Sequence, residues 1–359
     1  MNLVVGVIGL THPHSAAHLG TLDASAMVQR VVLYDPDPGA REQGSRICGK
    51  VDATYADLSA LLTRPDVPVV VIALPTDLTP DVIVRAAGAG KHVICEKPCA
   101  RSAAEMRPIL EVLERHRSQF AVCYVWRAHP AIERMRDLVQ AGALGRLTSV
   151  ELRMVTSQVT LRDPTHWLFK RNIAGGGVLS WLGCHWLDVL RYLTGQEVTQ
   201  VGAMLATLSG EAIDVEDVAS VSLRLTGGAV ATLYAGYLLP YGRSGYEGAS
   251  FDQSVILRGT CGTLQYQNAG GDQLVTLHSM ASRWQTAPEQ MWRFALPSLP
   301  AYGGAYGLRF VEAFIRSALS GEGTSPASAL DALRVLEILD GIYASAETGR
   351  TVDLARRSA

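Results

Sequence analysis

A histidine and an aspartate three residues apart, His185 and Asp188, are the pair in this sequence best suited to proton transfer. Residues three apart on a helix share a face, and a carboxylate beside an imidazole orients the ring and raises its basicity. The pair follows a run of three glycines at 175–177. Because a lone helix histidine is more often structural, that alternative stays open beside the catalytic one.

A second charged pair, Glu96 and Lys97, comes directly after the short apolar segment 92–95 and precedes Pro98. In a parallel sheet the ligand crevice lies outside the carboxyl ends of the strands. A lysine held there can donate to a hydroxyl or carbonyl oxygen and stabilise developing negative charge. An ion pair on the protein surface is the alternative interpretation of these two residues.

The first strand-like segment, 3–8, ends in a turn that departs from the GxGxxG pattern of dinucleotide-binding folds. Gly9 supplies the first glycine, whereas Thr11 and His14 occupy the second and third positions. Asp35 ends the next strand-like segment, where a carboxylate can accept from both ribose hydroxyls and repels a 2′-phosphate. The sequence therefore predicts NAD rather than NADP. The alternatives are an ordinary strand-to-helix turn after the first strand and, for Asp35, a role as the first residue of an Asp-Pro turn.

Metal-binding patterns are weak in this sequence. His14 and His18 have the i,i+4 spacing of two zinc ligands on one helix face. No cysteine or carboxylate completes a set at a clear spacing, so we expect no metal. The six cysteines form no CxxC pair, which is typical of reduced thiols in the cytoplasm.

The order of the predicted strands and helices that must position these residues changes after about residue 123. Apolar runs first alternate with helix-like segments, which predicts a doubly wound parallel sheet covered on both faces. Grouped β-like runs between 147 and 267 then predict an α+β domain with a large open, mainly antiparallel sheet. Ser325-Pro326 begins a last helix, expected over 326–348. We therefore expect a cofactor domain over 1–123 and a substrate-binding and oligomerisation domain over 124–359.

Composition excludes several classes of protein. Of 359 residues, 48% are hydrophobic and 18% charged, which excludes a disordered chain. The net charge of −2 has no basic excess in either part, which argues against a nucleic-acid binder. No uncharged apolar run reaches the roughly 18–20 residues that cross a bilayer, and the start lacks the positive region of a signal peptide. We expect a cytoplasmic protein that does not bind membranes.

Taken together, these residues resemble the Gfo/Idh/MocA oxidoreductases, a family of sugar, inositol and related dehydrogenases. The resemblance implies an NAD(P)-binding Rossmann domain, followed by an α/β domain whose open sheet forms subunit contacts in a homo-oligomer, a dimer or tetramer. The segments that carry it are the turn at 3–14, Tyr34-Asp35, VVVIALPTD at 69–77, AGKHVICEKP at 89–98, YVWRAHP at 124–130, and GGGVLSWLGCH at 175–185 with Asp188.

The resemblance also implies roles for individual residues. Lys97 is similar to the family's catalytic or orienting lysine and His185 to its proton-transfer histidine, with Asp188 orienting that histidine or bracing its helix. Cofactor contacts are expected at Gly9, Leu10, Thr11, His12, His14, Asp35, Leu74, Pro75, Thr76, Glu96 and Lys97. Substrate contacts are expected at Lys97, Trp126, Arg127, Trp167, Lys170, Arg171, Trp181 and His185.

Trp181 departs from the family pattern, because many members carry an aspartate at this position, four residues before the histidine. Indole cannot exchange a proton at neutral pH, although it offers a flat face to a sugar ring. We expect an NAD-dependent enzyme that transfers hydride at a secondary alcohol of a sugar, polyol or sugar derivative. The alternatives are a redox-neutral lyase or epimerase with tightly bound NAD, and a non-catalytic sugar-sensing protein on the same fold.

Overall fold

The computed structural model describes residues 3–241, 251–269 and 272–354. Packing divides the chain into two compact units. The first comprises Met1–Ala128 and Leu296–Arg334, and the second comprises His129–Ala295 and Val335–Ala359. The sequence predicts one boundary near residue 123, whereas the chain passes between the units three times.

Six parallel strands form the sheet of the first unit in its described part. They are β1 (Leu3–Ile8), β2 (Val28–Tyr34), β3 (Val51–Tyr55), β4 (Val69–Ile72), β5 (His92–Cys95) and β6 (Phe120–Val122). The order β3-β2-β1-β4-β5-β6 confirms the doubly wound sheet. Every residue of β1 and β4 is buried, as expected for strands covered on both faces. The edge strand β3 is not predicted, because its residues alternate between half-buried and exposed and form no apolar run.

Helices connect these strands, and a later segment completes the unit. The helices are α1 (Ser15–Ala24), α2 (Pro38–Ile47), α3 (Leu58–Leu62), α4 (Thr79–Gly88) and α5 (Ala103–Arg115). Within the segment 296–334, Ala327 accepts the Val122 N–H at 3.0 Å, and the Tyr302 N–H donates to the Ala17 carbonyl at 3.1 Å. The returning segment therefore binds both the edge strand β6 and the first helix.

The second unit has a nine-stranded sheet within the residues described. Its strands are β7 (Leu147–Ser157), β8 (Val198–Ala206), β9 (Val218–Leu225), β10 (Val230–Leu239), β11 (Phe251–Gly259), β12 (Gly262–Ala269), β13 (Asp272–Ser279), β14 (Glu289–Phe294) and β15 (Val352–Asp353). The order is β14-β13-β12-β11-β7-β10-β9-β8-β15, and all neighbours are antiparallel except β7 and β10. This confirms the open, mainly antiparallel sheet.

Five further α-helices follow in chain order within the described residues. They are α6 (Pro130–Gln140), α7 (Arg171–Ala174), α8 (Cys184–Thr194) and α9 (Gly304–Ser320), and the last long helix is α10 (Ala329–Thr348). The Trp186 indole on α8 donates to the Arg153 carbonyl of β7 at 2.6 Å, which fixes this helix on one face of the sheet. None of the described helices combines the length and apolar character needed to cross a membrane.

Apolar side chains are exposed on the other face of this sheet. Met204 on β8 is 81% exposed, and Val230 and Tyr234 on β10 are 48% and 43% exposed. Alternate residues of β10 are buried, so the exposed ones share a face. This is the face for which the sequence predicts subunit contacts, and that stays a prediction. The segment 239–250, whose sequence is typical of a loop, lies mostly outside the described residues.

Candidate functional site

The turn after β1 has the geometry of a dinucleotide-binding turn despite its missing glycines. Gly9 has a φ of +93°, and a Cβ there would lie 2.2 Å from the Ala73 carbonyl oxygen, so only glycine fits. The Leu10 N–H donates to Asp35 Oδ2 at 2.8 Å, and the Asp37 N–H donates to Oδ1 at 2.9 Å. These bonds hold a buried carboxylate at the end of β2, where a ribose would need it. The residues present therefore fit an NAD molecule.

The other residues of this turn that are expected to contact the cofactor differ in their exposure to solvent. Thr11 is exposed, whereas His12 and His14 are buried. Leu74, Pro75 and Thr76 follow the end of β4, the neighbour of β1, and Thr76 is buried. All of these residues therefore lie at the carboxyl ends of the central strands, which is the edge at which a doubly wound sheet binds its ligand.

Glu96 is the centre of a buried hydrogen-bonded cluster. Its Oε1 lies 3.0 Å from His14 Nδ1 and 2.6 Å from His18 Nε2. The Tyr302 ring stacks on His18 with centroids 4.5 Å apart. Burial lowers the pKa of His14 to about 4. Burial by itself raises the pKa of Glu96, but His14 and His18 outweigh it and hold that pKa well below its ordinary value.

Two groups of side chains in this cluster have donor atoms within 4.8 Å of one another, as a metal site requires. They are His12, His14 and Glu96, and His18, Glu96 and Cys123. His12 Nδ1 already accepts the His14 N–H at 3.1 Å, and Glu96 is satisfied by two imidazoles. The hydrogen bonds account for the buried carboxylate, and the expectation of no metal stays a prediction.

Lys97 follows Glu96 at the carboxyl end of β5. Its side chain is 1% exposed, and its N–H donates to Glu96 Oε2 at 3.0 Å. Because both side chains are buried, the surface ion pair considered from the sequence is excluded. The histidine cluster thus orients Glu96, and Glu96 in turn fixes the backbone from which Lys97 extends.

In the second unit, the proton-transfer candidates lie on α8 and the turn before it. His185 and Asp188 are 2% and 0% exposed, in the first half of the helix. Trp181 is buried in a wide helical turn, Leu179–Gly183, that leads into α8. The Trp167 ring meets the Trp181 ring edge-on with centroids 6.2 Å apart. The structure therefore places an indole pair beside the histidine helix.

The glycine run before α8 is explained by two residues that the sequence analysis missed. A Cβ on Gly176 would lie 1.8 Å from the Tyr343 hydroxyl, and one on Gly177 would lie 2.0 Å from the Glu216 carbonyl oxygen. The only signal in the sequence is the glycine run itself, because Glu216 lies 39 residues from Gly177. The run is therefore needed for close packing.

Glu216 holds this turn through its side chain as well. Its carboxylate accepts the Gly177 and Leu179 N–H groups at 2.9 and 3.0 Å. The Tyr343 hydroxyl also donates to it at 3.1 Å. Burial raises the pKa of Glu216 even though these hydrogen bonds oppose the shift. The carboxylate thus satisfies N–H groups at the start of the helical segment that carries His185.

The residues predicted to contact substrate divide between the two units. In the first, Arg127 pairs with Asp331 at 2.9 Å, and the Trp126 ring lies 5.7 Å from the Tyr306 ring. In the second, Lys170 and Arg171 are exposed, and the Arg171 guanidinium lies over the Tyr343 ring at 4.9 Å. Arg127 and Arg171, two of the four cations predicted to contact substrate, therefore have partners within the protein.

Comparison with known proteins agrees with this geometry. The model of the oxidoreductase family with an NAD-binding Rossmann fold matches residues 3–124, and the Gfo/Idh/MocA C-terminal domain matches residues 132–265. Levoglucosan dehydrogenase of Pseudarthrobacter phenanthrenivorans is 29% identical over the full length of both chains. Inositol 2-dehydrogenase of Rhizobium meliloti is 28% identical, covering 94% of this chain and 95% of that protein.

Solved structures give the same result. Levoglucosan dehydrogenase in complex with NADH and levoglucosan superposes with a TM-score of 0.84 at 27% identity, covering 99% of this chain and 100% of that one. An oxidoreductase domain protein from Kribbella flavida has a TM-score of 0.85 at 23% identity, with 99% and 100% covered, and shows the fold. The protein is thus an oxidoreductase with an NAD-binding Rossmann domain, and the chain belongs to the Gfo/Idh/MocA family.

Proposed function

We propose that the protein transfers hydride between a secondary alcohol carbon of a sugar, polyol or sugar derivative and NAD. The observation that carries this proposal is the burial of Lys97 at the end of β5, one strand beyond the switch point between β1 and β4. The relative solved with NADH and levoglucosan, which matches this chain over its whole length, supports the same chemistry.

NAD, when bound, accepts the hydride from the carbinol carbon. Gly9 would let the backbone approach the pyrophosphate, and Asp35 would accept from the ribose hydroxyls. The flanking residues of the turn and those after β4 would complete the cofactor contacts, namely Leu10, Thr11, His12, His14, Leu74, Pro75, Thr76, Glu96 and Lys97.

This chain's own residues would then move the proton. His185 would remove the proton from the substrate hydroxyl, and Asp188 would orient the imidazole or brace its helix. Lys97 would donate to a substrate oxygen and stabilise the negative charge that develops there. Trp167 and Trp181 would offer flat faces to the ring of the substrate, and Trp126, Arg127, Lys170 and Arg171 would supply further contacts.

Formation of NADH, followed by absorbance over a panel of sugars, inositols and sugar acids, tests this proposal. Lys97→Met and His185→Asn should each lower kcat by about 10²–10⁴-fold, the usual contribution of a positioned proton-transfer group. Lys91→Met is a matched control, because Lys91 is also buried but lies at the opposite end of β5 and donates to the Arg64 carbonyl. A folded protein that neither binds NADH nor reduces NAD with any compound would contradict the proposal.

Trp181 favours a second candidate, a redox-neutral lyase or epimerase that retains NAD. The indole occupies the position at which many family members carry a carboxylate, and its ring is buried against Trp167. NAD that copurifies with the protein, together with turnover and no net NADH, would establish this reaction instead. A Trp181→Asp variant should then gain net NADH formation.

We propose further that the protein acts in the cytoplasm as a homo-oligomer. Five of its six cysteines are buried free thiols, which suits a reducing compartment. The exposed apolar face of the second sheet, with Met204, Val230 and Tyr234, would be covered by a second copy of this chain. Light scattering at micromolar concentration should show a dimer or tetramer, and Met204→Asp should shift it toward the monomer. A monomeric wild-type protein would contradict the oligomer but leave the enzyme proposal intact.

A further inference from the structure

In the sequence of the second unit, Arg162 follows β7 and precedes the glycine run at 175–177, and it is half-buried. Its Nη2 donates to Ser157 Oγ at 2.9 Å and approaches Thr156 Oγ1 at 3.4 Å. Its Cζ lies 4.9 Å from the centroid of the Tyr237 ring. Thr156, Ser157 and Tyr237 are almost completely buried. Neutral groups on the neighbouring strands β7 and β10 therefore hold this cation in one orientation.

Within the part of the chain that the structure describes, Arg162 forms no ion pair, and its Nη1 makes no hydrogen bond. Three carboxylates of the second unit have other partners. Asp163 accepts from Thr165, Asp214 accepts the Arg171 N–H at 2.6 Å, and Glu216 holds the glycine run. A partly desolvated charge without a counter-charge is costly, and an anionic ligand would remove that cost.

Tyr237 connects this cation to the candidate catalytic helix. Its ring packs edge-on against Phe169, with centroids 5.9 Å apart. Burial raises the pKa of its hydroxyl, and its electrostatic neighbours are Arg162, Glu216 and the thiol of Cys184. Cys184 immediately precedes His185 on α8, so the Tyr237 ring lies close both to Arg162 and to the helix that carries the histidine.

We propose that Arg162 binds an anionic group of the substrate, either a carboxylate or a phosphate. The substrate class would then be sugar acids or sugar phosphates rather than neutral sugars. Guanidinium carries five N–H donors in a planar fork, which pairs with two anionic oxygens at once. Nη1 provides donors for this purpose, whereas Arg127 is paired with Asp331. The inference deepens the proposed oxidoreductase function and rests on it for the reaction.

The test compares substrates that differ only in the anionic group, each measured with NAD. Suitable pairs are D-glucuronate with D-glucose, D-glucose 6-phosphate with D-glucose, and a set of aldonates with the corresponding alditols. We expect kcat/KM to favour the anionic member by about 10–100-fold, as charge-assisted hydrogen bonds provide. Arg162→Gln should remove this preference by lowering kcat/KM for the anionic member, and Arg162→Lys should retain part of it.

Arg153→Gln is the matched control, because Arg153 lies on the preceding strand β7 but is exposed and paired with Asp252 at 3.2 Å. It should leave the preference unchanged. Circular dichroism should show that all variants are folded. Equal losses on both members in Arg162→Gln, or a wild-type preference for the neutral member, would overturn the proposal. The carboxylate and phosphate arms show which anion is recognised.

Calorimetric titration of the same compounds, with NAD present, separates this proposal from the proposed function. Binding of an anionic sugar that depends on Arg162, without NADH formation, would support the anion site and contradict the oxidoreductase reaction. Reduction of NAD by anionic and neutral sugars alike, with kcat/KM for the anionic member unchanged in Arg162→Gln, would support the reaction and overturn the anion site. Failure of every anionic compound to bind would also overturn it.

Discussion

Gly177→Ala tests whether close packing of the glycine run positions the histidine helix. A Cβ at this position would lie 2.0 Å from the Glu216 carbonyl oxygen, which already accepts the Val178 N–H at 3.0 Å. Ordinary van der Waals contacts of a Cβ begin at 3.4 Å. The two backbone segments must therefore separate by about 1.4 Å, since neither is a flexible side chain.

Such a separation breaks the Val178–Glu216 hydrogen bond and strains the two N–H bonds to the Glu216 carboxylate. Each buried group left unsatisfied costs about 1–3 kcal/mol, so we expect the variant to lose about 3 kcal/mol of unfolding free energy. The same displacement moves the first turn of α8, where His185 lies. Misplacement of a reacting group by about 1 Å lowers kcat by about 10²-fold.

Urea unfolding followed by circular dichroism, together with steady-state kinetics, measures both effects. Gly88→Ala is the matched control, because a Cβ there meets no atom within 4 Å at the end of α4. It should raise stability by about 0.4–1 kcal/mol and leave kcat unchanged. A Gly177→Ala protein with wild-type stability and kcat would show that the glycine run does not position His185.

Three further substitutions test the buried carboxyl and imidazole groups. Asp35→Ser removes the acceptor expected to bind ribose, so fluorescence titration should show about 10-fold weaker NADH binding and a smaller preference over NADPH. His14 has a pKa of about 4 in the folded protein, so the unfolded chain binds more protons between pH 4 and its ordinary value of 6.5. Unfolding free energy should therefore fall as pH falls through this window, and His14→Gln should flatten the slope; an unchanged slope would refute the assignment. The contribution of Glu216 to the pH dependence of stability has the opposite sign. Because the pKa of Glu216 is raised in the folded protein, the unfolding free energy declines as pH rises above 4.5, the ordinary pKa of this group. Denaturation curves of Glu216→Gln at several pH values should lack that decline.

The sequence predicts the central strands well because their apolar runs are set by burial on both faces. It misses β3, β8, β13, β14 and the short β15, whose residues are only partly buried. The C-terminal helix begins at Ala329 rather than 326, because Ser325 uses its hydroxyl to donate to the Phe120 carbonyl of β6. Contacts between distant segments thus decide details that local patterns cannot.

The candidate site shows the same limit. The residue types in the turn after β1, after β5 and on α8 predict where chemistry would occur, since each of these sites lies on or next to an element that the sequence predicts. The spacing of residues in the sequence does not reveal the groups that hold these candidate residues in place. Tyr302 stacks on His18 and Glu216 binds Gly177, and in both cases the partners are far apart in the sequence. Arg162 is missed because a single arginine in a loop has no pattern.

The return of residues 296–334 to the first unit has a consequence for synthesis on the ribosome. The backbone N–H of Tyr302 donates to the Ala17 carbonyl and to the Thr21 hydroxyl of helix α1. The Ala327 carbonyl accepts a hydrogen bond from β6. During synthesis, the edge strand β6 of the nucleotide-binding sheet therefore lacks this contact until nearly the whole chain has left the ribosome. Chain termination before residue 334 would leave this edge open to pairing with other chains. Aggregation of incomplete chains would then begin at the NAD-binding half of the protein.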